Sequence, residues 1–146
     1  MENKPQVLLC IPDPNIRKNL ASQIIPPETN AEILEAPDLT TALNLTREDT
    51  NHRIKVVIIG LFEEIEDMLV IILKIKLDIN TAVKTILIYD STQHSERENK
   101  TAKEYLDKVD DETIQTIARI VNFTLPYPIN IPEIRSIIAA LLTAQP

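Results

Sequence analysis

Val7-Leu8-Leu9-Cys10-Ile11 runs straight into Pro12-Asp13-Pro14-Asn15. Five consecutive apolar residues suit a strand buried on both faces of a parallel sheet, because a strand with one wet face alternates instead. The two prolines end the ladder, and Asp13 or Asn15 is placed to cap a helix that reads to about Ile25 and stops at Pro26-Pro27. The same strand-then-helix unit recurs along the chain. Ala31 to Glu35 is a weaker second strand, and Pro37-Asp38 opens a helix to about Glu48. Lys55 to Ile59 is the third strand, ended by Gly60, and Glu63 to Ile79 reads as a long helix with acidic residues first and Lys74 and Lys76 late, as the helix dipole favours. Thr85 to Tyr89 is the fourth strand. Ser95 to Ile120 reads as polar helix broken at Asp110-Asp111, and Val121 to Leu125 is the fifth strand, before Pro126-Tyr127-Pro128. Ile134, Ile137, Ile138, Leu141 and Leu142 give the final segment, Ile131 to Thr143, a helical stripe. The expected architecture is α/β: a doubly wound, five-stranded parallel sheet with helices on both faces, in a single domain spanning residues 1–146.

Composition narrows the chemistry. A chain of 146 residues has room for one domain and one core. With Gly 1 it cannot build a glycine-rich phosphate loop, which needs several residues at positive φ or in close approach to the phosphates. Lys+Arg 15 against Asp+Glu 22 gives a net charge of −7, and with Tyr 3, Phe 2 and Trp 0 there is little for bases to stack on, so no nucleic-acid partner is expected. No apolar run approaches the roughly 18 residues of a membrane span, so no membrane partner is expected either. The lone cysteine, Cys10, allows no internal disulfide and no multi-cysteine zinc site, which points to the cytoplasm.

The order of elements, together with Val7-Leu8-Leu9-Cys10-Ile11-Pro12-Asp13-Pro14-Asn15-Ile16-Arg17 near one end and Leu125-Pro126-Tyr127 near the other, resembles the receiver domain of bacterial two-component response regulators. The resemblance covers nearly the whole chain and implies the flavodoxin-like (βα)5 fold. It also implies a site at the carboxyl ends of the strands, where an acidic pair and an acceptor aspartate hold magnesium and take a phosphoryl group. Here the acidic pair falls on Ile11 and Pro12, and the acceptor on Gly60. The phosphoryl-sensing Ser or Thr falls on Asp90, or on Tyr89 with a shift of one, and the lysine falls on Leu125. The resemblance is thus to a receiver emptied of its chemistry, a pseudo-receiver with no enzymatic activity, cofactor or metal. It further implies a cis bond before Pro126 and a partner-binding face that includes Glu104, Lys108, Tyr127 and Arg135.

Other residues have plainer readings. Asp13, Asp90 and Glu63 or Glu64 would make a displaced cation cluster only if they were not spent on caps and turns, where Asp is common. His94 and His52 read as lone surface histidines, with no second His or Cys to complete a ligand set. Cys10 reads as a small buried hydrophobe. Met68 to Leu77 is apolar around most of a helix, so it is either well buried or partly a subunit contact. The leading function is a non-catalytic signalling module that meets a protein partner or a second copy of itself. The alternative is a regulatory domain that binds a small molecule or cation in the carboxyl-edge crevice.

Overall fold

The computed structural model describes residues 4–62, 65–90, 94–95, 100–101 and 121–143. Strand β1 (Gln6–Cys10) lies between β2 (Glu32–Ala36) and β3 (Ile54–Gly60), followed by β4 (Lys84–Asp90) and, beyond a two-residue antiparallel pair β5 (His94–Ser95) and β6 (Lys100–Thr101), by β7 (Phe123–Tyr127). The order across the main sheet is β2-β1-β3-β4-β7, and all four pairings are parallel. This is the expected doubly wound five-stranded sheet.

Alternation along the central strands divides the core in two, because successive side chains of a strand point to opposite faces. Leu8, Cys10, Val57, Ile59 and Leu87 face one way and meet helices α2 (Leu39–Glu48) and α3 (Ile65–Lys74) through Leu43, Met68 and Ile72. Val7, Leu9, Val56, Ile58, Ile86 and Ile88 face the other way and meet α1 (Pro14–Ala21) and α4 (Ile131–Thr143) through Leu20, Ile134, Ile138 and Leu141. The continuous apolar runs read from the sequence thus have helices above and below. Among the described residues no helix is long and apolar enough to cross a membrane.

Several boundaries differ from the sequence reading, each for a local reason. Helix α1 ends at Ala21 and not near Ile25, because Ser22 closes it and the N–H groups of Gln23 and Ile24 turn back to the Leu20 carbonyl; Ile24 is still fully buried, from the loop. Helix α3 passes at Ile75–Ile79 into a wider π-helical turn, closed by Asn80 N–H on the Ile75 carbonyl at 2.8 Å. The last strand runs to Tyr127 through Pro126. That proline pairs with Tyr89 in an edge strand, where a missing N–H is tolerated. The chain therefore turns later than expected, and the cis bond is Tyr127–Pro128, not Leu125–Pro126. Ser95 and residues 100–101 are strand where helix was expected. The rest of that segment, with Glu104 and Lys108, and the start of the third helix at Glu63 and Glu64 lie outside the described residues.

The apolar helix resolves mostly as core. Met68, Ile72 and Ile75 are buried, Ile71 and Leu73 pack against them, and the outward remainder is Val70 at 50% and Leu77 at 65% exposure. Truncating a fully buried aliphatic loses its transfer energy and leaves a cavity, so Ile72→Ala is expected to cost roughly 2–5 kcal/mol. Val70→Ala is expected to stay within about 0.5 kcal/mol. Urea unfolding of the two variants checks this contrast.

Candidate functional site

Strand register brings the carboxyl-edge positions together. Cys10 is opposite Ile59, Gly60 opposite Ile88, and Ile88 opposite Leu125, so Ile11, Gly60, Ile88 and Leu125 form one row across four strands. Ile11 and Ile88 are wholly buried and Leu125 nearly so. Pro12 follows at the rim, half-buried, and Asp90 ends β4 two residues beyond the row, opposite Tyr127. Thus Ile11, Gly60 and Leu125 converge, whereas Pro12 and Asp90 stand outside them.

At Gly60 there is no space for a side chain. A Cβ there would lie 2.5 Å from Ile88 Cβ and 2.8 Å from the Ile88 carbonyl oxygen, both far inside van der Waals contact. The next residue, Leu61, has φ 62°, the left-handed region that bulky L-residues avoid. Its N–H reaches the Ile88 carbonyl at 3.1 Å while its side chain packs on the α1/α4 face of the sheet. The sharp close of β3 onto β4 therefore uses glycine for its bulk, and the strained torsion falls on the neighbour.

A fixed cation sits at the end of β1. Arg17, its side chain 11% exposed, donates from Nη1 to the Ile11 carbonyl at 2.8 Å and from Nε to Glu35 Oε1 at 3.0 Å. Its first-turn position on α1 makes this possible, and that turn is set by Asp13, whose Oδ1 accepts from the N–H groups of Asn15 and Ile16 at 2.8 and 3.1 Å. Asp13 is thus engaged as a cap. The sequence reading missed Arg17; its place four residues after the cap, on the side of α1 that returns over β1 and β2, was the available signal.

Cys10 lies beneath this edge and donates weakly to the Asp38 carbonyl at 3.3 Å. Burial first, and then the negative charge of Asp38, push its thiol up to about 12, with Arg17 acting the other way. The neutral thiol agrees with its reading as a small hydrophobe. Asp38 itself caps α2 by accepting from Thr41 N–H at 2.7 Å, and that bond holds its carboxyl below the ordinary value. Among the described residues no three His, Cys, Asp or Glu side chains gather as a metal-ion set. His52 is in the turn before β3, at φ 53°.

The cavities described lie elsewhere. One of about 250 Å³, lined by Gln6, Glu48, Asp49 and Arg53 among others, is at the amino end of the sheet. Two more, of about 400 and 320 Å³, share Glu28 and Ala139 between α4 and the 3-10 turn Pro27–Thr29. Of the expected partner-face residues, Tyr127 is half-buried against the α1/α4 core, and the Arg135 guanidinium donates to the Gln23 carbonyl at 2.5 Å.

A side chain forced in at Gly60 must displace Ile88 backbone, since its contacts are Ile88 Cβ, carbonyl and Cα and not a flexible side-chain tip. Gly60→Ala is expected to cost roughly 1–3 kcal/mol by overpacking, and Ile88→Ala, which keeps Cβ, is not expected to relieve it. Urea unfolding of the single and double variants checks this; a neutral Gly60→Ala would show that the strands part easily.

No protein-family model and no curated protein matches this sequence. Solved structures do match in fold. A response regulator receiver domain protein from Clostridium thermocellum is similar with a TM-score of 0.69 and 18% identity, covering 95% of this chain and 94% of its own. The receiver domain of AraT, a response regulator from Geobacillus stearothermophilus, is similar with a TM-score of 0.68 and 21% identity, covering 96% and 94%. A structure described as one of a novel family of redox sensors in the streptococci, evolved from two-component response regulators, is similar with a TM-score of 0.66 and 11% identity, covering 95% of this chain and 51% of its own. At such identities the likeness is one of architecture. The chain has the CheY-like fold of response-regulator receiver domains.

Proposed function

We propose that this chain is a non-catalytic, receiver-like signalling module that acts by protein–protein contact without aspartyl phosphorylation. The observation that carries this reading is the close approach at Gly60, where the acceptor position of the resemblance has neither a side chain nor room for one. The rest of the edge agrees. Ile11 and Leu125 offer no oxygen ligand to magnesium, which needs hard oxygen donors. Arg17 brings a positive charge to the Ile11 carbonyl, which disfavours a second cation there and weakens the cation-binding alternative. A carboxylate at Asp90 would repel a phosphoryl group.

The partner face remains the one implied by the resemblance, with Tyr127 and Arg135 among the described residues. Exposed Val70 and Leu77 mark a second contact, suited to another copy of the chain. The streptococcal neighbour is a precedent for a receiver-derived protein put to a different signalling use. A redox role of that kind does not suit Cys10, which is buried and protonated.

Incubation with acetyl phosphate and magnesium, followed by intact-mass and peptide analysis, tests the proposal. The expected result is no phosphoryl adduct on any aspartate, and none after Gly60→Asp, which supplies a carboxylate without ligands, lysine or space. A stoichiometric aspartyl phosphate on the wild-type chain would overturn it.

A further inference from the structure

The two cavities between α4 and the 3-10 turn Pro27–Thr29 include none of the carboxyl-edge residues, and they adjoin through Glu28 and Ala139. The smaller, of about 320 Å³, has Pro26, Pro27 and Glu28 from the turn and Arg135 and Ser136 from the helix. The larger, of about 400 Å³, continues along α4 past Ala140 and Leu142 and is closed by Pro5; apart from the shared Glu28 no charged side chain lines it. A space with two charges thus opens onto an apolar one.

Both charges are carried on groups that are already set. Arg135 Nε donates to the Gln23 carbonyl, which leaves its two Nη nitrogens without a protein partner among the described residues. Glu28 follows Pro26 and Pro27, whose φ angles are fixed by their rings, and the turn is closed by Thr29, whose N–H and hydroxyl both donate to the Pro26 carbonyl, at 3.1 and 2.7 Å. Pro26 is buried, whereas Glu28 and Arg135 are exposed. These two opposite charges line one cavity, yet they form no ion pair with each other or with any other described group. That leaves room between them for a molecule that carries both signs.

We propose that the two cavities are one binding site for a free α-amino acid with a large apolar side chain. The ligand carboxylate accepts from the two Nη nitrogens of Arg135, the bidentate pairing that a planar guanidinium suits. The ligand ammonium donates to Glu28, and the side chain enters the larger cavity against Ala140, Leu142 and Pro5. An acid with no amine would set its charge against Glu28, and an amine with no acid would face Arg135. A charged side chain would find no new counter-charge in the larger cavity and would lose water there. The charges therefore select a zwitterion, and the second cavity selects its side chain. Because the turn and the guanidinium are in place beforehand, little ordering opposes binding. The inference does not rest on the reading of the carboxyl edge.

Leucine titrated into the full chain and followed by amide NMR tests this. Saturable shifts are expected at Glu28, Thr29, Arg135, Ala139 and Leu142, half complete near about 1 mM, an affinity within reach of so small a ligand. Leucinamide, N-acetylleucine and glycine, which lack in turn the carboxylate, the ammonium and the side chain, are each expected to bind several-fold more weakly. Arg135→Gln and Glu28→Gln are each expected to weaken leucine several-fold, with circular dichroism confirming the fold. No saturable shift up to about 10 mM leucine, or undiminished binding in either folded variant, would overturn the proposal. N-acetylleucine binding as tightly as leucine would mark a site for peptide carboxyl ends and would overturn it too.

Discussion

Between Gly60 and Ile88 the backbones of β3 and β4 come so near that a methyl group has no place to sit. These two strands are in the middle of the sheet and buried on both faces, so neither can move aside without disturbing helices above and below. The contact fixes how β3 ends, sends Leu61 into a left-handed turn, and delivers its N–H to the Ile88 carbonyl. It also sets the row Ile11, Gly60, Ile88 and Leu125 as one apolar layer at the place where an open α/β sheet ordinarily presents a ligand crevice. Among the described residues that layer presents the apolar side chains of Ile11, Ile88 and Leu125.

Electrostatics hold the first two strands from both ends. Arg17 joins the end of β1 to Glu35 on β2, and Arg53 joins the Lys4 carbonyl, before β1, to Glu32 at the start of β2. Asp49 aims the second of these by accepting from the N–H groups of Arg53 and Ile54. Exposed ion pairs contribute little on their own, about 0–1 kcal/mol, but Arg17 is largely buried and its bond to a strand-end carbonyl is charge-assisted. Among the described residues near the carboxyl edge, Arg17, Asp13 and Asp38 are each engaged by the protein's own groups.

How much of this could be read in advance varied with the kind of signal. The final helix, Ile131–Thr143, was legible to the residue because its apolar spacing and flanking prolines agree. The five strands were found, but two were misplaced by one residue and the last by two, since Pro126 looked like a terminator and an edge strand tolerates it. The end of α1 was overrun because Ile24 and Ile25 continue the apolar pattern from a loop. Met68 to Leu77 left burial and contact equally open, as periodicity cannot say how many neighbours a helix will have. The row at the carboxyl edge came from the family resemblance; that Gly60 lacks room, and that Arg17 covers the Ile11 carbonyl, needed three-dimensional register.

The central claim is that the carboxyl edge is a filled, static layer and not a switch. Its most direct test is amide NMR of the wild-type protein titrated with magnesium and beryllofluoride, a phosphoryl mimic that binds where an acceptor carboxylate and metal ligands are in place. The account predicts that the amides of Ile11, Gly60, Leu61, Ile88 and Asp90 keep their positions throughout. Saturable shifts at those amides, spreading to β7, would contradict it.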